Sequence, residues 1–300
     1  MTGCAIIIPA FNAAAYLAEA IESTLRQTAP ASSITVVDDG STDATPEICT
    51  RFGDAVTLLR QPNQGVSVAR NFGASQVRAE WLLFLDADDR LLPVALEKML
   101  ARAAQGSFGV LYGQSIHFDE STGKRWTHGV GGCEGTPPAA AVASFWKSPV
   151  TTPGGALVRA EVFREIGGFN PLVNSLADRD LWMKAGVAHS FGFIPEPVIE
   201  KRAHGENMSS NLDRALYQTA FVQFGFLDWC RERGVDPKFL RVSPQAIIDN
   251  VVNKALEGRR LGAIAQISEL AGQRGVETTL LRQARGYLSM APSAAQFRLR

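Results

Sequence analysis

Apolar residues in this chain come in short unbroken runs, separated by stretches in which they recur at helical spacing. The first run, Cys4-Ala5-Ile6-Ile7-Ile8-Pro9, reads as a buried strand that Pro9 ends, because proline donates no hydrogen bond to a ladder. Asn12 is placed to cap a helix over 13–28, where Leu17, Ile21, Thr24 and Leu25 share a face. Ile34-Thr35-Val36-Val37 predicts a second strand, and Thr45-Pro46 opens a second helix. Val56-Thr57-Leu58-Leu59 predicts a third strand. Asn63-Gln64-Gly65 then turns into a helix through Val66, Ala69, Arg70, Gly73 and Val77, and Trp81–Leu85 forms a fourth strand. A helix from Pro93 to about Ala104 and a strand at Val110-Leu111-Tyr112 continue the series.

Strands alternating with helices over short loops argue for a parallel, doubly wound α/β sheet. Beyond residue 112 the pattern loosens. A Gly/Pro-rich loop over 129–138 precedes a short helix at 139–146, a strand at 154–158 and a helix at 160–166 stopped by Gly167-Gly168. A helix carrying Leu181, Trp182 and Ala185 follows, then extended chain over 191–199. From about Asn211 onward the spacing is helical only, enough for three or four helices.

The acids move the question from fold to chemistry. Asp38-Asp39 closes the second strand and Asp86-Ala87-Asp88-Asp89 the fourth. In a parallel sheet both strand ends lie on one rim, where such sheets bind ligands, so the two clusters are expected to converge. Carboxylates this close repel one another and are hard to keep ionised without a cation between them, which makes Asp86 and Asp88 a candidate divalent-metal site. An acidic turn that merely opens the helix at Pro93 suits the local sequence equally well.

Composition narrows the classes. Apolar residues make up 46% of the 300-residue chain, enough for one large α/β domain or a domain with a smaller appendage. The 30 basic and 30 acidic residues cancel, so bulk charge gives no reason to expect nucleic acid as a partner. Cys4, Cys49, Cys133 and Cys230 are scattered, which disfavours a zinc site or disulfide framework and fits a reducing cytosol. The first strand has no cationic leader before it, and no apolar run is long enough for a membrane span. A cytoplasmic protein is expected, with peripheral attachment to the inner face of the membrane compatible. Gly123-Lys124 has the wrong continuation for a GxxxxGK[ST] loop, and no GxGxxG follows the first strand. A P-loop ATPase or a dinucleotide dehydrogenase is therefore disfavoured.

Several segments, in order, carry a resemblance. They are Ile7-Ile8-Pro9-Ala10-Phe11-Asn12, Val37-Asp38-Asp39-Gly40-Ser41-Thr42-Asp43, Asn63-Gln64-Gly65 with Ala69-Arg70-Asn71, and Leu85-Asp86-Ala87-Asp88-Asp89. Gly167-Gly168-Phe169, Asp178-Arg179-Asp180-Leu181-Trp182 and Arg202-Ala203-His204-Gly205-Glu206-Asn207-Met208-Ser209 complete the set. Over roughly residues 4–209 the chain resembles family 2 glycosyltransferases of the GT-A fold. The resemblance implies a Rossmann-like, mostly parallel sheet flanked by helices over 1–209, with a nucleotide-binding half at 1–105 and an acceptor half at 106–209. Residues 210–300 form an α-helical C-terminal extension that could cover the acceptor site, mediate a homo-oligomer or rest on a membrane.

The same resemblance implies roles. Pro9, Phe11, Asp39, Arg70 and Asp86 would bind the nucleotide sugar. Asp39 would accept from the base, a uracil imide for example, with capping of the next loop as its alternative use. Phe11 would lie against the base or in the core, and Arg70 would face the diphosphate or form a surface ion pair. Asp88 and His204 would be ligands to Mn²⁺ or Mg²⁺, Asp86 would contact the ribose or a metal-bound water, and Asp89 would be structural. Asp178 would be the catalytic base; Ala177 stands where the family's usual motif has an acid, and Asp180 is the rival. The expected activity is an inverting, metal-dependent transfer from a nucleotide-diphosphate sugar, uridine-linked by preference, to an acceptor hydroxyl on a glycan, lipid-linked or small-molecule acceptor. No Gln-x-x-Arg-Trp motif is present, which favours single addition over a processive polymerase. A nucleotidyltransferase and a non-catalytic sugar-nucleotide or glycan binder are the competing classes.

Overall fold

The structure is a computed structural model and describes residues 3–129, 138–147, 152–203 and 211–290. The chain divides into two compact units, Met1–Gly205 and Glu206–Arg300.

The first unit is built on β1 (Cys4–Ala10), whose residues are all buried. β2 (Ser33–Asp38) lies on one side with β3 (Thr57–Arg60) beyond it, and β4 (Trp81–Phe84) lies on the other; all pair in parallel. α1 (Leu17–Leu25), α2 (Thr45–Thr50) and α3 (Val66–Gln76) connect them. Pro9 does not end β1 but sits inside it opposite Val37. The Ile7 carbonyl accepts from Leu85 N at 3.0 Å and the Ala10 carbonyl from Asp39 N at 2.8 Å. Odd-numbered residues of β1 thus address β4 and even-numbered ones β2. The nitrogen of Pro9 faces the chain past the last residue of β4, so the strand continues without breaking a bond to a residue within β4.

Asn12 does not cap α1, which starts at Leu17 with no side-chain cap. Held at φ 48°, Asn12 laces two loops together instead. Its Oδ1 accepts from Thr42 N at 2.9 Å, and its own N–H donates to Ser41 Oγ at 2.9 Å.

Past β4 the sheet becomes mixed. The elements are β5 (Arg90–Leu91), α4 (Ala95–Ala103), β6 (Val110–Asp119), β7 (Arg125–His128), α5 (Pro138–Lys147), β8 (Ala156–Arg159), α6 (Ala160–Glu165), α7 (Ala177–Ala185) and β9 (Phe191–Ala203). The strand order is β3-β2-β1-β4-β8-β6-β9-β5, with β7 paired to β6. β8 runs antiparallel to β4 and β6, β9 parallel to β6, and β5 antiparallel to β9. The parallel expectation therefore holds for β1 to β4 and gives way to a mixed half.

Side-chain alternation in these strands feeds two hydrophobic layers. Ile6, Ile8, Val36, Leu83 and Leu85 share one core cluster with Leu17 and Ile21 of α1 and Leu96 and Met99 of α4. On the opposite face Phe84 meets Phe163 at 5.1 Å and Phe169 at 4.9 Å between ring centroids. There α3 lies so close to the sheet that a Cβ on Gly73 would sit 2.5 Å from Ile7 Cγ2 and 2.9 Å from Val37 Cγ2.

The second unit holds α8 (Leu212–Glu232), α9 (Pro244–Glu257), α10 (Leu261–Gln273) and α11 (Thr279–Met290). Asn211 and Ser243 cap α8 and α9, accepting from Arg214 N and Ala246 N. Phe226, Ile248, Val251, Val252, Ile264, Ile267 and Leu281 are buried within it. Among the described residues no helix is long and apolar enough to cross a membrane.

Candidate functional site

The carboxyl rim of β1, β2 and β4 collects the first group of polar side chains. Asp39, only 3% exposed, accepts three hydrogen bonds. Gln61 Nε2 (2.7 Å) and Gln64 N (2.9 Å) donate to its Oδ1, and Gly65 N (2.8 Å) donates to Oδ2. Asp39 therefore fixes the Asn63-Gln64-Gly65 turn at the start of α3, where Gly65 has φ 91°. One lone-pair direction of Oδ2 is left over by this set. Asp38 is fully buried and accepts from Ser41 N and from Arg60 Nε at 2.9 Å. Phe11 is 49% exposed, so core packing is not its role.

The second group is the acid turn between β4 and β5. Asp86, Asp88 and Asp89 each offer one carboxylate oxygen, all within 4.8 Å of one another. Arg70 of α3 is 4% exposed and reaches Asp86, 27% exposed, with Nη2–Oδ1 at 2.5 Å, while its guanidinium lies 4.9 Å from the Phe169 ring centroid. Arg70 thus makes a largely buried pair beneath the turn, not the surface pair weighed from sequence. Asp89 is buried; its Oδ1 accepts from Arg202 N at 2.9 Å, and its Oδ2 has no hydrogen-bond partner among the described residues. Burial, with Asp88 and Asp86 adding to it, holds its carboxyl well above the ordinary range against Lys201 and the Arg202 N–H. Arg202 also donates Nε to the Asp88 carbonyl at 3.0 Å and pairs with Glu19 and Glu120.

A third group arrives through α3. Asn71 Nδ2 donates to the Phe169 carbonyl at 2.8 Å, and Phe169 N donates back to Asn71 Oδ1 at 2.9 Å. Ser67 Oγ donates to the Val173 carbonyl. These bonds hold the Gly167-Gly168-Phe169 turn, where both glycines have positive φ, and lead the chain into α7. Asp178 stands in the first turn of α7, and its Oδ1 accepts from Arg179 N at 2.7 Å. Burial raises its pKa, as does Asp86, against Lys201, the Arg179 N–H and Arg70. Asp178 is therefore within electrostatic reach of the acid turn. Asp180 is fully buried, its Oδ2 2.6 Å from Lys184 Nζ, and that pair belongs to α7 itself.

The fold thus brings Asp178, Asp86, Asp88, Asp89 and Arg70 together and puts Asp39 and Pro9 on the same strand rim. His204 lies outside the described residues. Lys201 is the residue that sequence reasoning missed. It lies on β9, half-buried, cross-strand from His117. Burial works against its ammonium, but Asp89, Asp86, Asp178 and Asp88 more than offset this and raise its pKa. Burial, then Lys201 and His128, lower the His117 pKa to about 4, leaving a neutral imidazole beside that ammonium. The available signal was alternation: Ile199, Lys201 and Ala203 continue one face of the extended segment beyond the expected stop at Ile199.

Comparison with known proteins bears on the family and the fold. The family model described as "Glycosyl transferase family 2" matches residues 5–167. Glycosyltransferase GlyA of Streptococcus pneumoniae is 32% identical over 129 residues, covering 42% of this chain and 18% of that protein. Glycosyltransferase GlyG of the same organism is 34% identical over 122 residues, covering 39% of this chain and 40% of that protein. The match thus spans less than half the length of either relative. In fold, the crystal structure of S. aureus TarS 1-349 in complex with UDP-GlcNAc superposes with a TM-score of 0.61 at 21% identity, covering 95% of this chain and 88% of the other.

Proposed function

The chain belongs to glycosyl transferase family 2, and from that footing we propose that it moves one sugar from a uridine-linked nucleotide-diphosphate donor to an acceptor hydroxyl with inversion. The observation that carries this reading is the rim geometry: the Asp86, Asp88 and Asp89 carboxylates converge within 4.8 Å, and α3 ties both Asp86, through Arg70, and the Phe169 turn that leads to Asp178, through Asn71. It sets a carboxylate of raised pKa, suited to taking a proton, beside an acid turn suited to a donor's diphosphate. Asp178, not Asp180, is the base, because Asp180 is fully buried and committed to Lys184. Ionised Asp178 takes the proton of the acceptor hydroxyl as that oxygen attacks the anomeric carbon, and the nucleoside diphosphate leaves from the opposite face.

The acid turn fits a hard divalent cation such as Mn²⁺ or Mg²⁺. Among the described residues it offers carboxylate oxygens, clustered within 4.8 Å, and Asp89 Oδ2 has no hydrogen-bond partner there. Asp88 and Asp86 would hold the ion with Asp89 behind them, and when bound it neutralises charge on the diphosphate. On the nucleotide side, the exposed Phe11 ring gives the base a stacking surface, and Asp39 Oδ2 keeps one acceptor direction for a base N–H. The UDP-GlcNAc in the TarS complex is the model for the donor class. Calorimetric titration with UDP, GDP and CDP in the presence of Mn²⁺ tests the donor side. Selective binding of UDP is expected, and binding of none of the three would overturn the reading.

A further inference from the structure

Four cationic side chains near the acid turn or Asp178 give donors to groups of this chain, with Arg70 Nε left without a partner among the described residues. Arg70 pairs with Asp86, and Arg90 with Glu19 and Glu200. Arg202 engages Glu19, Glu120 and the Asp88 carbonyl, and Arg179 donates to the Phe145 and Trp146 carbonyls. Lys201 differs. Its ammonium feels Asp89, Asp86, Asp178 and Asp88, yet it makes no direct hydrogen bond or ion pair with any described residue. Both its neighbours are held: Arg202 donates its backbone N–H to Asp89 Oδ1, and the Glu200 carboxylate takes Arg90 and Arg125. The side chain cannot drift far, and its ammonium keeps its three N–H donors for water or a ligand, since it gives none to a described residue.

Resting on the donor reading above, we propose that Lys201 is a donor-binding residue whose ammonium contacts the diphosphate of the nucleotide sugar, between the acid turn and Asp178. A diphosphate reaching Asp86 and Asp88 through a cation brings oxygens of opposite charge to an ammonium that gives its donors to no other described residue. Its three N–H groups suit phosphate as a point charge. Lys201 thereby supplies fixed positive charge beside the cation site and favours diphosphates over nucleotides lacking the second phosphate.

The test is titration of the full chain with UDP and with UMP in Mn²⁺, for wild type, Lys201→Met and Lys201→Arg. Loss of a charge-assisted contact predicts that Lys201→Met weakens UDP roughly tenfold to a hundredfold. UMP should weaken by no more than about threefold, a contact to its single phosphate being worth far less. Lys201→Arg should restore most of the UDP preference. A residue that only neutralises the acids would change thermal stability and leave the UDP-to-UMP ratio alone, and that result overturns the inference. Should Lys201→Met fail to fold, amine-reactive labelling of wild type decides instead: UDP, but not UMP, must protect Lys201, and equal protection overturns the proposal. Failure of wild type to bind UDP at all removes the donor reading and this inference together. Normal UDP binding with an unchanged ratio removes this inference alone.

Discussion

Replacing Arg70 by methionine removes the counterion beneath the acid turn while keeping most of the side-chain volume. Arg70 is 4% exposed and meets Asp86 at 2.5 Å. Breaking a buried pair by deleting one partner costs about 3 to 5 kcal/mol. Asp86 is 27% exposed, so water recovers part of that and the lower end, about 3 kcal/mol, is expected. The contact with the Phe169 ring at 4.9 Å adds on the order of 0.5 to 1 kcal/mol. Asp86→Asn should cost less, about 1.5 to 2 kcal/mol, because an amide oxygen still accepts from the guanidinium. In the double variant neither charge is left alone, so its loss should fall short of the sum by about 2 kcal/mol. Urea unfolding followed by tryptophan fluorescence reads all three, since Trp81 and Trp182 are buried in the first unit. An Arg70→Met variant within about 0.5 kcal/mol of wild type, the scale of an exposed pair, would refute the reasoning, as would strict additivity.

Asp178→Asn should lower transfer by about 10²- to 10⁴-fold while UDP affinity stays near wild type, as read by product assay and calorimetry. Asp180→Asn should instead lose stability, through its broken pair with Lys184, and keep transfer. The pH dependence of Asp178 runs in two directions. Its folded pKa is raised above 3.8 chiefly by burial, so its contribution to stability is complete below the unfolded value and is lost as pH rises through the folded one. Catalysis needs the ionised form, so kcat/KM should fall on acidification with a midpoint above 3.8; a midpoint at or below that value would count against Asp178 as the base. Gly73→Ala should destabilise by about 1 to 2 kcal/mol in thermal unfolding, since its Cβ would meet Ile7 Cγ2 at 2.5 Å and that overlap outweighs the gain in helix propensity.

What was legible in the sequence follows from how each element is buried. β1, β2 and β4 are wrapped on both faces, so their residues form unbroken apolar runs, and the acids that end them stand out. β7 could not be seen that way: Arg125, Trp126, Thr127 and His128 are all exposed, and only pairing with β6 makes them a strand. β5 is two residues long and owes its existence to β9, more than 100 positions away. Pro9 looked like a stop because its missing donor is costly in most strands; only the register shows that its nitrogen faces the chain past the last residue of β4. At the site, residue types and order pointed to Asp39, Asp86, Asp88 and Asp178, whereas their internal partners were invisible. Arg70 read either as a diphosphate contact or as a surface cation, because nothing local to it predicts Asp86 or Phe169. Glu200 and Lys201 fell beyond the extended stretch expected to stop at Ile199, and the groups that engage them, Arg90 and the acid turn, are more than 100 positions away in the chain.

The central claim is tested most directly by the product released from a panel of sugar nucleotides incubated with Mn²⁺ and the full chain. The account predicts release of a nucleoside diphosphate, UDP foremost, by wild type and its loss in Asp88→Ala. Release of pyrophosphate instead, or UDP release undiminished by Asp88→Ala, would contradict it.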